Sequence, residues 1–345
     1  MSSASKKIRF GLIGCGQISS RHVASIKTSK NAQLAAVCDL NEQRAKQYNV
    51  DWTTNYHNLI KRGDLDVISV CVPNGLHVQM GIDVAHANKH CLMEKPLGLN
   101  LQQADRLINA FKKSGKKLFA VKQVRFNPTV LALKDAVSAK KLGKINNAAL
   151  VVRWCRPQEY YDNDAWRGTK KLDGGALLNQ GIHYIDILQW ILGPVISVYA
   201  KTDTIGHKIE IEDIALAILK FKSGAYATVE FTLSTYPSNL ECSLSVLGKQ
   251  GTIKLGGPAM DTIEIWQVAN CPKPTIKNGL PPNVYVGGLY QGSCPNHIFV
   301  YQSIINYFLK NTKTFADGLE ARKSLEIVEA VYRSAKQNKE IKLPL

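Results

Sequence analysis

The sequence predicts an α/β fold with two domains, a doubly wound parallel sheet followed by an α+β domain on a large, mostly antiparallel open sheet. Three observations predict it. A glycine-rich turn joins the first strand to the first helix, apolar strands then alternate with helical stretches, and period-two apolar patterns dominate the second half. The alternation ends near Val124. We therefore expect the domains to comprise residues 1–125 and 126–345.

Composition excludes several classes of protein. The chain has 345 residues, 45% hydrophobic and 21% charged, which is typical of globular domains. No apolar run is long enough to span a bilayer, and the first ten residues, MSSASKKIRF, lack the apolar core of a secretory signal. Eight scattered cysteines form no CxxC pair and indicate reduced thiols. We expect a cytoplasmic protein without a membrane partner.

The formal net charge of +17 is the one compositional feature that favours nucleic-acid binding. The basic residues, however, form only short pairs such as Lys112–Lys113, with no interleaved aromatic residues. The pattern is more typical of a solvated surface that attracts small anionic substrates. We expect no nucleic-acid partner.

A glycine-rich turn follows the first strand, residues 7–14. Gly14 permits a tight turn, and Gly16 lets a pyrophosphate approach a helix N-terminus. Ser19 stands where a third glycine is usual, and Asp39 closes the next strand 20 residues later. That carboxylate would accept both ribose hydroxyls and repel a 2′-phosphate, so the pattern predicts a Rossmann sheet that binds NAD rather than NADP. The contacts predicted here are Gly14, Gly16, Gln17, Ile18 and Asp39.

Two further strands end in polar residues at the ligand-binding edge of the sheet. The buried strand 66–73 precedes an Asn-Gly loop, and the strand 90–93 precedes Glu94-Lys95-Pro96. Proline would fix the aim of Lys95, for example through a cis bond. Beside a nicotinamide cation this lysine would lose proton affinity and serve as a base. A surface salt bridge between Lys95 and Glu94 is the alternative. The predicted cofactor contacts are Pro73, Asn74, His77, Glu94 and Lys95.

The stretch 174–190, GGALLNQGIHYIDILQW, predicts a helix with an apolar stripe. Asn179, His183 and Asp186 recur at steps of four and three, so they share one face. One interpretation is a core helix whose histidine bonds a backbone carbonyl. The other is a catalytic pair: Lys95 and His183 hold a substrate hydroxyl, one takes its proton as a hydride leaves for NAD⁺, and the other orients it. The residues do not distinguish which is the base.

Four stretches, in this order, resemble the Gfo/Idh/MocA oxidoreductase family: GLIGCGQISSRH, VCVPNGLH, MEKPLG and GGALLNQGIHYID. The stretches YYDNDAWRGT and IEIEDIA, together with Asn179 where the family more often has Asp, are similar to its WlbA-like branch. That resemblance implies NAD-dependent oxidation of the 3-hydroxyl of a UDP-linked N-acetylhexosamine uronate, UDP-GlcNAcA, in lipopolysaccharide sugar biosynthesis. Recycling of bound NADH by 2-oxoglutarate is a family possibility. The alternatives are another sugar or inositol dehydrogenase and a non-catalytic NAD-binding regulator.

The second half supplies the remaining candidates. The resemblance implies that Trp166 and Arg167 contact the nicotinamide half of NAD, although a surface arginine beside a packing tryptophan is the alternative. Asn296 and His297 open a helix whose N-terminus suits an anionic group. An open sheet with one uncovered face favours a homodimer or homotetramer. No metal site is predicted. The predicted substrate contacts are Lys95, Asn179, His183, Tyr160, Tyr161, Arg125, Asn296 and His297, and the further cofactor contacts are Gln123, Trp166 and Arg167.

Overall fold

The structure is a computed structural model that describes residues 7–276, 282–285 and 290–345. The strands are β1 Ile8–Ile13, β2 Ala32–Cys38, β3 Asp51–Thr53, β4 Val67–Val70, β5 His90–Met93, β6 Leu118–Ala120, β7 Ile145–Arg153, β8 Val195–Asp203, β9 Ile214–Phe221, β10 Tyr226–Thr232, β11 Glu241–Gly248, β12 Gly251–Gly256, β13 Thr262–Val268, β14 Val284–Tyr285, β15 Tyr290–Gln291 and β16 Ile341–Lys342. The α-helices are α1 Ser19–Lys27, α2 Glu42–Lys46, α3 Tyr56–Ile60, α4 His77–His86, α5 Leu101–Ser114, α6 Pro128–Ser138, α7 Gln158–Asp162, α8 Ile182–Leu192, α9 His297–Lys310 and α10 Gly318–Gln337.

The chain forms two compact units that differ from the predicted division. The first unit comprises Met1–Lys122 and His297–Arg322, and the second comprises Gln123–Asn296 and Lys323–Leu345. The first boundary lies close to the predicted one at residue 125. The segment His297–Arg322, which we expected in the second domain, belongs to the first unit.

The first unit contains a six-stranded parallel sheet in the order β3-β2-β1-β4-β5-β6. This confirms the predicted doubly wound Rossmann sheet. Its central strands are mostly apolar, since helices cover both faces of such sheets; β4 is buried at every position. The strand order reverses between β1 and β4, and ligands bind such sheets at the carboxyl ends beside that reversal. The glycine turn follows β1, so the fold places it there.

Helix α5 illustrates how the sequence specifies these covering helices. Its buried residues, Leu101, Ala104, Leu107 and Phe111, follow a helical period and form one apolar face. The side chain of Asn100 accepts a hydrogen bond from the Gln103 N–H at 2.9 Å and caps the N-terminus. Gly115, at φ +69°, ends the helix in the left-handed conformation.

The second unit contains an eight-stranded sheet in the order β13-β12-β11-β7-β10-β9-β8-β16. Only the β7–β10 pair is parallel within this sheet, so the predicted, mostly antiparallel sheet is confirmed. Buried and exposed residues alternate along β9 and β10, which gives the sheet one core face. The opposite face exposes Tyr199, Leu216, Ile218 and Tyr226. Within the described ranges, the structure contains no helix with the length and apolarity to cross a membrane.

Candidate active site

The glycine turn after β1 has the geometry of a dinucleotide site. Gly14 has φ +92°, and a Cβ atom there would lie 2.4 Å from the carbonyl oxygen of Cys71, so only glycine fits. A Cβ atom at Gly16 would meet nothing within 4 Å, which leaves the backbone open to a ligand. The Cys15 N–H donates to Asp39 Oδ2 at 2.7 Å. The carboxylate is therefore fixed beside the turn.

Helix α1 begins directly after this turn, without a capping side chain and without an acidic residue in its first turn. Its positive end is suited to a pyrophosphate. Ser19, at the position where a third glycine is usual, is buried. Its Oγ donates a hydrogen bond to the Gly16 carbonyl oxygen at 2.5 Å. Asp39 is half-exposed and accepts the Asn41 N–H at 2.8 Å, yet an ionised carboxylate keeps further lone pairs for ribose hydroxyls. These residues fit NAD.

Glu94 lies at the centre of a buried hydrogen-bond cluster. Its Oε1 atom is 2.9 Å from Nε2 of His22 and 3.3 Å from Nε2 of His297, and its Oε2 accepts the Lys95 N–H at 3.0 Å. Burial acts to raise the pKa of the carboxyl, but the two imidazole hydrogen bonds outweigh it and hold the pKa well below its usual range. The side chain is only 6% exposed and fixes the Lys95 backbone; the cofactor contact of Glu94 stays a prediction.

The His22 ring continues the cluster. Its Nδ1 lies 2.9 Å from Oη of Tyr301, which lies 2.8 Å from Oγ of Ser69. Donor atoms of His22, Glu94 and His297 lie within 4.8 Å of one another, close enough for a metal ion, but imidazole N–H donors already satisfy the carboxylate. His297 is 1% exposed, and burial lowers its pKa. His297 thus has a role inside this cluster, and the substrate contact predicted for it stays a prediction.

The Lys95–Pro96 peptide bond is cis, as the sequence suggested. The carbonyl oxygen of Pro96 lies 2.7 Å from Nδ1 of His77, and the carbonyl oxygen of Val72 lies 2.9 Å from Nε2 of the same ring. His77 is fully buried, so both its nitrogens are used within the protein. It ties the loops after β4 and β5 together, and this geometry does not support the cofactor contact predicted for its side chain. Lys95 itself is half-buried.

The predicted helix 174–190 is divided into two parts. Leu177–Gly181 is a π-helical segment, and α8 begins at Ile182. Asn179 and His183 are both buried, and the Asn179 Nδ2 donates to Asp173 Oδ1 at 2.7 Å. Wider π turns recur at functional sites, because they displace side chains from regular helical positions. Asp173, which the sequence analysis did not single out, orients the amide.

Glu212 and Tyr332 hold the start of the π-helical segment. Glu212 Oε1 accepts hydrogen bonds from the Leu177 N–H at 2.7 Å and from the Tyr332 hydroxyl at 2.8 Å. The Leu178 N–H donates to the same tyrosine oxygen at 3.1 Å. A Cβ atom at Gly175 would lie 2.0 Å from that oxygen, which explains the glycine. Burial raises the pKa of the Glu212 carboxyl to about 7.

Arg125 secures α8. Its Nε and Nη2 atoms donate to the two carboxylate oxygens of Asp186 at 2.7 and 2.9 Å. Both side chains are almost completely buried, and the guanidinium stacks on Trp190 with its central carbon 5.0 Å from the ring centroid. The predicted substrate role of Arg125 is therefore not supported, because its donors already face a carboxylate.

The predicted Tyr160, Trp166 and Arg167 lie together in the second unit. Arg167 donates to Asp164 at 2.7 Å and to the Tyr160 hydroxyl oxygen, and it lies over the Trp166 ring at 4.7 Å. The same hydroxyl oxygen accepts from Gln180 Nε2 at 2.9 Å. This connection joins the Trp-Arg pair to the π-helical segment. Gln180, which neighbours Asn179, was not among the predicted site residues.

Three other predicted residues are also buried in the second unit. The Tyr161 ring packs 5.0 Å from Tyr160, and burial raises the pKa of its hydroxyl. Gln123 Nε2 donates to Ser293 Oγ at 3.1 Å. Asn296 Nδ2 donates to Asn127 Oδ1 at 2.7 Å, so this amide secures a loop and the substrate contact predicted for it is not supported.

Comparison with known proteins agrees with this geometry. A signature described as an oxidoreductase family with an NAD-binding Rossmann fold matches residues 8–122. The Gfo/Idh/MocA C-terminal domain signature matches residues 130–254. The myo-inositol 2-dehydrogenase of Thermotoga maritima is 30% identical over 65% of this chain and 68% of its own.

Two solved structures match the whole fold. The WlbA dehydrogenase from Bordetella pertussis, in complex with NADH and UDP-GlcNAcA, is 35% identical, with a TM-score of 0.90 over 99% of both chains. The WlbA dehydrogenase from Chromobacterium violaceum, with the same two molecules, is 34% identical, with a TM-score of 0.89 over 100% of this chain and 98% of the other. The chain thus belongs to the Gfo/Idh/MocA oxidoreductase family and is an NAD-dependent sugar or inositol dehydrogenase.

Proposed function

We propose that this dehydrogenase oxidises the 3-hydroxyl of UDP-GlcNAcA to a ketone, as a step in surface-polysaccharide sugar biosynthesis. The observation that carries the proposal is the similarity, over nearly the whole chain, to a dehydrogenase solved with NADH and this sugar nucleotide. Asn179 and the stretch YYDNDAWRGT, which resemble the same branch, support it.

Lys95 and His183 are the residues that we assign to the proton of this hydroxyl. When bound, NAD⁺ supplies the acceptor for the hydride from C3. Glu94 and the Pro96–His77 hydrogen bond fix the backbone of Lys95, so the ammonium has a defined approach. One of the pair takes the proton and the other orients the oxygen; a nearby cationic nicotinamide would lower the proton affinity of the lysine.

Asn179 completes the proposed constellation. An uncharged amide cannot act as a base, so its proposed task is to bond the reacting hydroxyl or its neighbour. Asp173 fixes the orientation of the amide by accepting from Nδ2. The contacts that we propose for NAD are Gly14, Gly16, Gln17, Ile18, Asp39, Pro73, Asn74, Lys95, Gln123, Trp166 and Arg167, with Tyr160 and Tyr161 beside the sugar.

We also propose that two or four copies of the chain associate through the second sheet. Its outer face exposes Tyr199, Leu216, Ile218 and Tyr226 on adjacent strands, and apolar patches of this kind mark protein interfaces. A monomer in sedimentation at micromolar concentration would contradict this part of the proposal.

The substrate is tested by following NADH formation. UDP-GlcNAcA, myo-inositol and glucose are supplied in turn, each with and without 2-oxoglutarate. We expect NADH, or its reoxidation when 2-oxoglutarate is present, only with UDP-GlcNAcA. Turnover of myo-inositol alone would favour the second candidate, an inositol dehydrogenase, which the similarity to the Thermotoga enzyme supports.

The catalytic pair is tested by Lys95→Ala and His183→Ala. Each substitution removes a group that handles the proton, so turnover should fall by roughly 100- to 10,000-fold. NAD binding, measured by fluorescence titration, should survive in both variants. The exposed Lys112 on α5 provides the control, since Lys112→Ala should leave turnover unchanged. Near-normal turnover in both variants would contradict the assignment and favour a non-catalytic regulator.

A further inference from the structure

Arg156 is a buried cation that has no carboxylate partner among the described residues. The residue is 3% exposed, and no carboxylate among the described residues lies within ion-pair distance of it. Its hydrogen bonds run from Nη1 to the carbonyl oxygen of Cys155 at 2.6 Å and to Asn239 Oδ1 at 3.5 Å. Burial of a charge is costly unless an opposite charge compensates it. An anionic ligand would supply that compensation.

Three aromatic rings enclose the guanidinium. Its central carbon lies 4.9 Å from the ring centroid of Trp154, 5.5 Å from that of Tyr160 and 4.7 Å from that of Tyr290. Ring faces stabilise a cation but accept none of its in-plane N–H groups. Nε is buried and has no acceptor among the described residues, and neither of the two bonds above uses Nη2. The Nε–Nη2 edge of the guanidinium is therefore available to donate hydrogen bonds to a ligand.

The backbone of Arg156 is fixed from both sides. Its N–H donates to the carbonyl oxygen of Leu233 at 2.9 Å, and its own carbonyl oxygen lies 2.6 Å from Nε2 of His207. The other nitrogen of that histidine lies 2.9 Å from Asp213 Oδ2. The guanidinium is thus held in place before any ligand arrives, which lowers the entropic cost of binding.

Tyr160 connects this enclosure to the proposed sugar site. Its ring packs against Arg156, while its hydroxyl oxygen accepts from Arg167 and from Gln180. Gln180 follows Asn179 in the π-helical segment. Because one tyrosine contacts both arginines and this segment, an anion at Arg156 would belong to the sugar rather than to a remote ligand.

We propose that Arg156, enclosed by Trp154, Tyr160 and Tyr290, binds the C6 carboxylate of a hexuronate substrate through its free Nε–Nη2 edge. This rests on the proposed function, which supplies a uronate. A planar carboxylate accepts two parallel hydrogen bonds from that edge, and flat aromatic walls fit a flat anion. A diphosphate has a tetrahedral geometry at each phosphorus and is esterified on both sides, so it fits between flat rings less well.

The experiment compares the binding of UDP-GlcNAcA, UDP-GlcNAc and UDP by calorimetry in the presence of NADH. UDP-GlcNAc has a neutral hydroxymethyl group in place of the carboxylate. Arg156→Met should weaken the binding of UDP-GlcNAcA about 100-fold, because a charge-assisted bidentate pair is lost. The affinities for UDP-GlcNAc and UDP should stay within about threefold of the wild type. Arg153→Met is the matched control, because Arg153 is half-exposed and already pairs with Glu230 and Glu241. It should not change selectivity.

A second variant keeps the proposal testable if Arg156→Met does not fold. Arg156→Lys keeps the charge but lacks the fork, so selectivity for the uronate should fall about tenfold even if the methionine variant does not fold. Full selectivity in the lysine variant would overturn the proposal. An equal loss of UDP binding in the methionine variant would also overturn it. So would a wild-type protein that binds UDP-GlcNAcA and UDP-GlcNAc equally well, or that binds neither of them. Arg156-dependent uronate binding without NADH formation would contradict the proposed function alone. Oxidation of UDP-GlcNAcA with unchanged selectivity in both variants would contradict the role of Arg156 alone.

Discussion

Arg125 and Arg156 are both buried in the second unit, and both stack on a tryptophan, but they differ in one respect. Arg125 donates two hydrogen bonds to Asp186, whereas no carboxylate within the described ranges pairs with Arg156. The paired arginine anchors a helix. The unpaired arginine retains binding capacity, which makes it the better candidate for a ligand contact. Burial alone does not distinguish these roles, but the presence of a counter-ion does.

Glu212 extends the comparison to a half-buried carboxylate. It accepts two hydrogen bonds but, like Arg156, it has no oppositely charged partner in the part of the chain described here. Burial raises its pKa to about 7, so it can take up a proton and become neutral. A guanidinium cannot lose its proton in the accessible pH range. Without an oppositely charged partner, the Glu212 carboxyl is therefore a pH-sensitive group, whereas the Arg156 guanidinium remains a permanent cation.

The largest expected effect comes from breaking the paired arginine. Arg125→Met leaves the Asp186 carboxylate buried without a partner, so the free energy of unfolding should fall by about 3–5 kcal/mol. Urea denaturation at neutral pH measures this loss. Replacing both partners, as in Arg125→Met with Asp186→Leu, should recover most of it, because no charge is then left unpaired. An Arg125→Met variant as stable as the wild type would contradict the structural role of the Arg125–Asp186 pair.

A smaller effect is expected from the pH dependence of Glu212. Its pKa in the folded state is raised, so its contribution favours folding below the unfolded pKa and is lost as the pH rises through about 7. The unfolding free energy of the wild type should therefore fall by up to about 3 kcal/mol between pH 5 and pH 8 from this group. Glu212→Gln cannot ionise and should abolish that fall. The exposed Glu210 serves as control, since Glu210→Gln should retain it.

The smallest effect on stability is expected at Arg156. Arg156→Met removes a cation that has no carboxylate partner, so the unfolding free energy should stay within about 1 kcal/mol of wild type, while uronate binding is lost. Urea denaturation of Arg156→Met and Arg125→Met under the same conditions compares their unfolding free energies. A loss as large as that of the Arg125 variant would show that Arg156, too, is held for structural reasons.

The sequence predicted the architecture well because fold signals are local. The glycine turn, the apolar strands and the period-two patterns each lie within a few residues, and both sheets were confirmed. Membership of the family and dependence on NAD were confirmed for the same reason, since the motifs that carry them are contiguous.

Roles of individual side chains were harder to predict, because partners distant in the chain determine them. Asp186 lies 61 residues from Arg125, and His297 lies 203 residues from Glu94. No local pattern shows such pairs, so arginine and histidine near a predicted site were interpreted as ligand contacts. For the same reason His22, Arg156 and Glu212, which have structural or proposed ligand roles, were missed. Asn179 and His183 remain predictions that the proposed variants test.

The discontinuity of the first unit has a consequence for synthesis of the chain. Tyr301 of α9 supplies the hydroxyl that His22 and Ser69 contact, and residues 297–322 belong to the same unit as residues 1–122. The Rossmann sheet therefore cannot acquire its full complement of buried partners until residues 297–322 have left the ribosome. The first unit is thus completed only after most of the second unit has been made, and a fragment ending at residue 125 would lack the helix that supplies Tyr301.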